Sequence, residues 1–212
     1  MKMKWNNTQA LVAVICLSIS SLANAKDYSV SFKFDKRPPK VALIYIPAET
    51  GDKTNAEVDQ VNKQFTTKMV VASPGSAVSF KNSDTVDHNI FASDASVGAQ
   101  FDVGLMAPGG ERDVDIDWFE DSIVRVGCKI HPKMRTYIAA VKSRYEKVVE
   151  FSPAEKEFSV TLGNLPADAN KIVIRIPKYD TIEIDISAAT NNTLHPVTKR
   201  GKDRGGVTLV ES

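Results

Sequence analysis

The chain has 212 residues, 27 Lys and Arg against 26 Asp and Glu, a formal net charge of +1 and 42% hydrophobic residues. A balance this even excludes the basic character of a nucleic-acid binder. Two cysteines and three histidines in the whole sequence exclude a disulfide framework and any histidine-rich cluster of several metal ions.

The N-terminus reads as a secretory leader. Lys2 and Lys4 give it a positive start, Ala10 to Leu22 is mostly apolar, and Ala23-Asn24-Ala25 fits a small-residue cleavage site. The apolar stretch falls short of the ~20 residues a spanning helix needs. Cys16 follows Ile15, where a lipid-modified cysteine takes a small neighbour. Residues 1–25 are therefore expected to be a cleaved signal peptide of bacterial style. The mature chain then starts at Lys26, carries no membrane span and resides in the periplasm. Without Lys2 and Lys4 the charge balance is 25 basic to 26 acidic.

The elements that follow are nearly all β. Tyr28, Val30, Phe32 and Phe34 alternate with polar residues, as in a strand with one buried face. Val41 to Ile46 is a continuous apolar run, the pattern of a fully buried strand. The polar stretch Asn55 to Phe65 is expected to hold one short helix. Lys68 to Ala72 and Ala77 to Lys81 read as strands around the turn pair Pro74-Gly75. Pro108-Gly109-Gly110 turns the chain ahead of Arg112 to Asp117, with Val114 and Ile116 inward. Ile123 to Val126 leads into Cys128, and Tyr137 to Val141 forms the next strand. Further on, Phe158, Val160 and Leu162, then Ile172, Ile174 and Ile176, then Ile182, Ile184 and Ile186 repeat the alternation. Three such strands imply a small sheet that must cover its apolar face against something.

The organisation expected is thus a first domain over residues 26–143, a small β-sheet extension over 144–190 packing on it, and a polar, basic, mobile tail over 191–212. The strand Tyr28 to Phe34 is a candidate partner for the extension, and Val207 to Val210 a candidate edge strand.

Chemistry concentrates at Cys128, the one cysteine left after the leader. A lone thiol in an oxidising compartment is a liability unless something occupies it, and metal ligation is the simplest occupant. Cys128 is followed by His131 and Met134 at three-residue steps, and His88 lies 40 residues upstream. Thiolate, two imidazoles and a thioether suit copper in both oxidation states. Zinc also accepts thiolate and imidazole, but rarely thioether. Pro132 stiffens the loop that carries three of the four residues. Met106 is a less favoured axial candidate. His195 lies in the basic tail and reads as solvated.

Val78-Ser79-Phe80-Lys81-Asn82-Ser83-Asp84 followed by His88-Asn89, then Phe101-Asp102-Val103-Gly104-Leu105 and Pro108-Gly109, then Cys128 to Met134, together resemble the cupredoxins. These are the small blue copper proteins that include plastocyanin, pseudoazurin and amicyanin. The ligand loop is closest to the short amicyanin type, and the resemblance runs over roughly Val41 to Val141. Ser122 and Val124 stand where the family often shows glycine and tyrosine. The resemblance implies an all-β, Greek-key β-sandwich, here with a small additional C-terminal β segment. It implies one type 1 copper per chain, with His88, Cys128 and His131 in the trigonal plane and Met134 axial. Asn89 would be a supporting residue tying the ligand loops by hydrogen bonds, and Met106, Pro108 and Pro132 would rim an apolar patch around His131. The implied activity is electron transport between a periplasmic redox donor and acceptor, without catalysis. A copper buffer or metallochaperone, or an accessory copper subunit of a periplasmic oxidoreductase, is the alternative.

Overall fold

The computed structural model describes residues 26–47, 55–187 and 192–211; the expected leader lies outside them. The described residues form two β-sandwiches, and sequence order alone does not reveal which strands share a sandwich.

The central sandwich is built from one continuous stretch of chain. One of its sheets holds β3 (Ala56–Val61), β4 (Gln64–Phe65), β6 (Ala77–Asn82) and β9 (Glu111–Asp115), in the order β4-β3-β6-β9. The other holds β5 (Val70–Ala72), β7 (His88–Asp94), β8 (Ala99–Met106), β10 (Ser122–Cys128) and β11 (Arg135–Ala140), in the order β5-β11-β10-β7-β8. Parallel pairing of β3 with β6 and of β5 with β11 requires crossovers between the sheets. Alternate residues of both sheets point inward: Val78, Phe80, Ile90, Val124, Val126 and Ile138 are fully buried in a single core. Asn55 to Phe65 is therefore not helical. Val58 and Gln60 are buried on alternate positions of β3, and the period-two burial overrides the polar composition.

The terminal sandwich is assembled from both ends of the chain. Its outer sheet has the order β13-β1-β17-β16, from β1 (Lys26–Phe34), β13 (Glu157–Leu165), β16 (Leu194–Lys199) and β17 (Lys202–Glu211). Its inner sheet has the order β12-β2-β14-β15, from β2 (Val41–Pro47), β12 (Ser143–Glu150), β14 (Lys171–Arg175) and β15 (Ile182–Asp185). Phe32, Phe34, Phe151 and Phe158 interlock edge-to-face between the sheets.

This arrangement departs from the expected division in three ways. Strands β1 and β2 pair with C-terminal strands, so the stretch 26–143 is not one unit in the sheet pairing. The three alternating segments after residue 157 do not form one small sheet; β13 lies in the outer sheet and β14 and β15 in the inner. Recruiting β1, β2, β16 and β17 lets the extension bury a core of its own. The tail 192–211 is a hairpin, not a mobile segment. Val197, Val207 and Leu209 are buried, and β17 sits inside the sheet beside β1. Gly205 shows why its composition misleads. A Cβ there would lie 1.9 Å from the Lys33 carbonyl oxygen, at φ +141°, so glycine serves close strand approach here and not flexibility.

The sandwiches meet at β2. Ala42, Ile44 and Ile46 face the terminal core, whereas Val41, Leu43 and Tyr45 face Met69, Val71, Ala139 and Val141 of the central sandwich. Burial on both faces is the physical reason for the unbroken apolar run. The Tyr45 hydroxyl donates to Asp121 Oδ1 at 2.7 Å, and Arg175 pairs with the same carboxylate. Burial, then the Asp121 carboxylate, push the Tyr45 hydroxyl well above its ordinary range. No helix among the described residues is long and apolar enough to cross a membrane.

Candidate metal centre

His88 opens β7 and Cys128 closes β10, two adjacent antiparallel strands, so the sheet itself sets one side chain beside the other. His131 and Met134 come from the turn between β10 and β11, which the Met134 N–H closes on the His131 carbonyl at 2.9 Å. Nδ1 of His88 lies 3.7 Å from Cys128 Sγ, Nδ1 of His131 lies 3.8 Å from it, and the two Nδ1 atoms are 3.1 Å apart. His88 and Cys128 are buried, and His131 is half-buried. Met134 is buried in the loop that also holds His131, and it shares a cleft wall with Cys128.

Asn82, 1% exposed, holds the His88 segment in place. Its amide donates to the carbonyls of Val86 (3.0 Å) and Met106 (2.9 Å), while its Oδ1 accepts from the Asp84 N–H at 3.1 Å. The turn 83–87 is thereby fixed, and Asp84 Oδ2 comes to 3.2 Å from His88 Nε2. A carboxylate only accepts, so Nε2 carries the proton and Nδ1 presents its lone pair to Cys128 and His131. The N–H groups of Lys63 and Thr85, and then His88, hold the Asp84 carboxyl below its usual range. Desolvation, then the neighbouring His88, push the His131 imidazole below its usual range.

Asn89 ties the two ligand segments through its backbone. Its N–H points at Cys128 Sγ at 3.4 Å and its carbonyl accepts from the Lys129 N–H at 2.9 Å. Its side chain turns instead toward Asp102, leaving Oδ1 buried without a partner. Met106, opposite His88 across β7 and β8, is 1% exposed and belongs to the core, so it cannot rim a surface patch. Pro108 and Pro132 are exposed, as are Leu105 and Ile130. His195 is half-buried on β16, with Nε2 lacking a partner, and it is not part of the cluster. Asp84 and Asn82 were not singled out from sequence; their signal is an Asn-Ser-Asp turn placing a carboxylate four residues before a histidine.

The donor set fits a soft or borderline cation. His88, Cys128 and His131 bring their ligand atoms within 4.8 Å of one another. Three lone-pair donors facing inward, with the outer nitrogen of His88 already committed, leave a position that a thiolate-binding metal would satisfy.

No known protein-family profile and no curated protein matches the sequence. Solved structures that the chain is similar to include cupredoxins and a copper-containing nitrite reductase. A purple cupredoxin from Nitrosopumilus maritimus is 17% identical with a TM-score of 0.35, over 40% of this chain and 98% of that one. Amicyanin from Paracoccus versutus is 16% identical with a TM-score of 0.35, over 51% and 96%. A Cu-containing nitrite reductase from Thermus scotoductus is 20% identical with a TM-score of 0.38, over 45% of this chain and only 25% of that one. At these identities and TM-scores the functional reading rests on the geometry of the site itself.

Proposed function

We propose that this chain is a type 1 copper protein that carries single electrons between a redox donor and an acceptor in the periplasm, after export by the leader 1–25. The observation that carries the reading is the convergence of His88 Nδ1, Cys128 Sγ and His131 Nδ1 on one point. His88, Cys128 and His131 would hold the metal, and Met134 would supply a thioether. Copper, when bound, supplies a one-electron couple between Cu(I) and Cu(II).

The chain's own residues supply the rest. Asp84 orients His88 and fixes its tautomer. The Asn89 N–H aimed at Sγ stabilises thiolate charge and draws density from the sulfur. Burial of His88 and Cys128 excludes water, while the half-buried His131, next to the exposed Pro132, gives electrons a way out. Ligands placed at strand ends and in one closed turn change little between oxidation states, which keeps transfer fast. No substrate is transformed, so the protein is a carrier and not an enzyme.

The test is a Cu(II) titration of the mature protein with visible absorption and electron paramagnetic resonance. An intense thiolate-to-copper band reaching its plateau at one equivalent is expected. In Met134→Gln the band persists while the potential shifts. A protein that stays colourless on copper addition overturns the proposal.

A further inference from the structure

Cationic side chains gather along the seam between the sandwiches with few carboxylates to neutralise them. A cleft of about 650 Å³ opens beside the candidate centre, with Cys128 and Met134 in its wall. Arg125 of β10, Lys129 and Arg135 at either side of the ligand turn, and Lys178 from the β14–β15 turn of the terminal sandwich line it, against one acid, Asp94. A second groove of about 300 Å³ shares Lys178 and adds Arg37, Lys40 and Lys199.

Lys129 pairs with Asp102, and Lys199 stands over the Tyr179 ring at 5.0 Å. Arg125, Arg135, Lys178, Arg37 and Lys40 have no ion-pair partner among the described residues. All five are exposed. The chain's net charge is only +1, so this trough is balanced elsewhere; Asp102, Asp113, Asp115 and Asp117 line a separate groove along β8 and β9. The five unpaired cations thus lie in grooves beside the candidate centre, where Asp94 and the Lys129-bound Asp102 are the nearby acids.

We propose that this trough docks the acidic face of a redox partner protein, beside Cys128 and Met134 and bridging both sandwiches. Exposed cations spread over two connected grooves suit a broad, solvated, carboxylate-rich surface. A small anion would need a buried polar anchor, and none of the cations in the first cleft is buried. Charges of this kind act mainly on encounter and register. The partner's redox role rests on the carrier reading above, whereas the charge complementarity does not.

The experiment titrates decaglutamate into the full mature chain at low ionic strength, with Arg125→Gln, Lys178→Gln and the double variant beside it. Neither residue is among the proposed ligands. Binding that weakens steeply with added salt, and by roughly three- to ten-fold in each single variant, is expected. Oxidation of the reduced copper protein by hexacyanoferrate(III), in which one electron leaves the protein and iron(III) becomes iron(II), slows by a similar factor in the double variant. Oxidation by the cationic tris(phenanthroline)cobalt(III) does not slow. Decaglutamate binding untouched in the double variant overturns the proposal. So does loss of phosphatidylglycerol-vesicle binding in that variant with decaglutamate binding intact, which would assign the trough to an anionic membrane. The blue band is read separately: its absence sinks the copper reading, whereas a normal band with variant-insensitive decaglutamate binding sinks the docking surface alone.

Discussion

The two sandwiches are of similar construction but divide the labour. The central one places candidate ligands at its strand ends: β7 begins with His88, β10 ends with Cys128, and the β10–β11 turn carries two more. The terminal one brings none of the clustered donors and is held by aromatic and aliphatic packing. Its pairings also reach much further along the chain, from Tyr28 to Glu211, than those that position His88 against Met106. A metal-type centre is specified by short, local segments, whereas the support beneath it is specified by contacts between distant ones.

The largest effect on the centre is expected from Cys128→Ser. It should remove the copper band entirely while leaving the unfolding of the terminal sandwich unchanged, as read by thermal circular dichroism. Gly205→Ala should do the reverse. A Cβ at that position collides with the Lys33 carbonyl, so a loss of roughly 2–4 kcal/mol in denaturant unfolding is expected, with the band retained in the protein that remains folded. Joining Pro47 to Ser143 through a two-residue Asn-Gly turn, in place of residues 48–142, removes the central sandwich. These residues are register partners, so the shortened chain should still fold as a hairpin-linked sandwich with a sheet-like circular dichroism spectrum. An unfolded product would show that the support depends on the centre it carries.

Tyr45→Phe is a smaller perturbation at the seam. It removes the hydroxyl donated to Asp121 and should lower stability by about 1 kcal/mol in urea melts. The smallest effect is on pH dependence. His131 has a folded pKa below its ordinary value of 6.5, so the unfolded chain takes up its proton first. The metal-free protein should therefore lose stability as pH falls through that ordinary range, down to the lower folded value, and lose less in His131→Gln. Urea midpoints across that range check it.

Much of the candidate site was legible because its information is local. Cys128, His131 and Met134 sit at three-residue steps around one proline, and that spacing alone brings them into a single turn. Asp84 was not legible, because an isolated aspartate says nothing until Asn82 fixes the turn that aims it at His88. The strands were legible wherever apolar and polar residues alternate, as in Tyr28 to Phe34. The 55–65 stretch failed because its buried positions include Gln60, whose amide donates to the Lys81 carbonyl and takes a place that would ordinarily be apolar. The 192–211 hairpin failed because Lys199, Arg200, Lys202 and Arg204 dominate its composition, while Val197, Val207 and Leu209 carry its burial. The pairing of Tyr28–Phe34 with the extension was legible from its unpartnered apolar face and is realised between β1 and β13, but the rest of the sheet order was not, since pairing across more than a hundred residues leaves no local trace.

That long-range pairing orders events in time. The central sandwich is complete once β11 has formed, because every strand it uses has been made by then. β1 must wait for β13 and β17, and β2 for β12 and β14. Closing contacts so distant in sequence is slow. During synthesis and refolding the two earliest strands, including the Val41–Ile46 segment, therefore remain unpaired while the centre assembles, and the later strands decide whether the chain folds or aggregates.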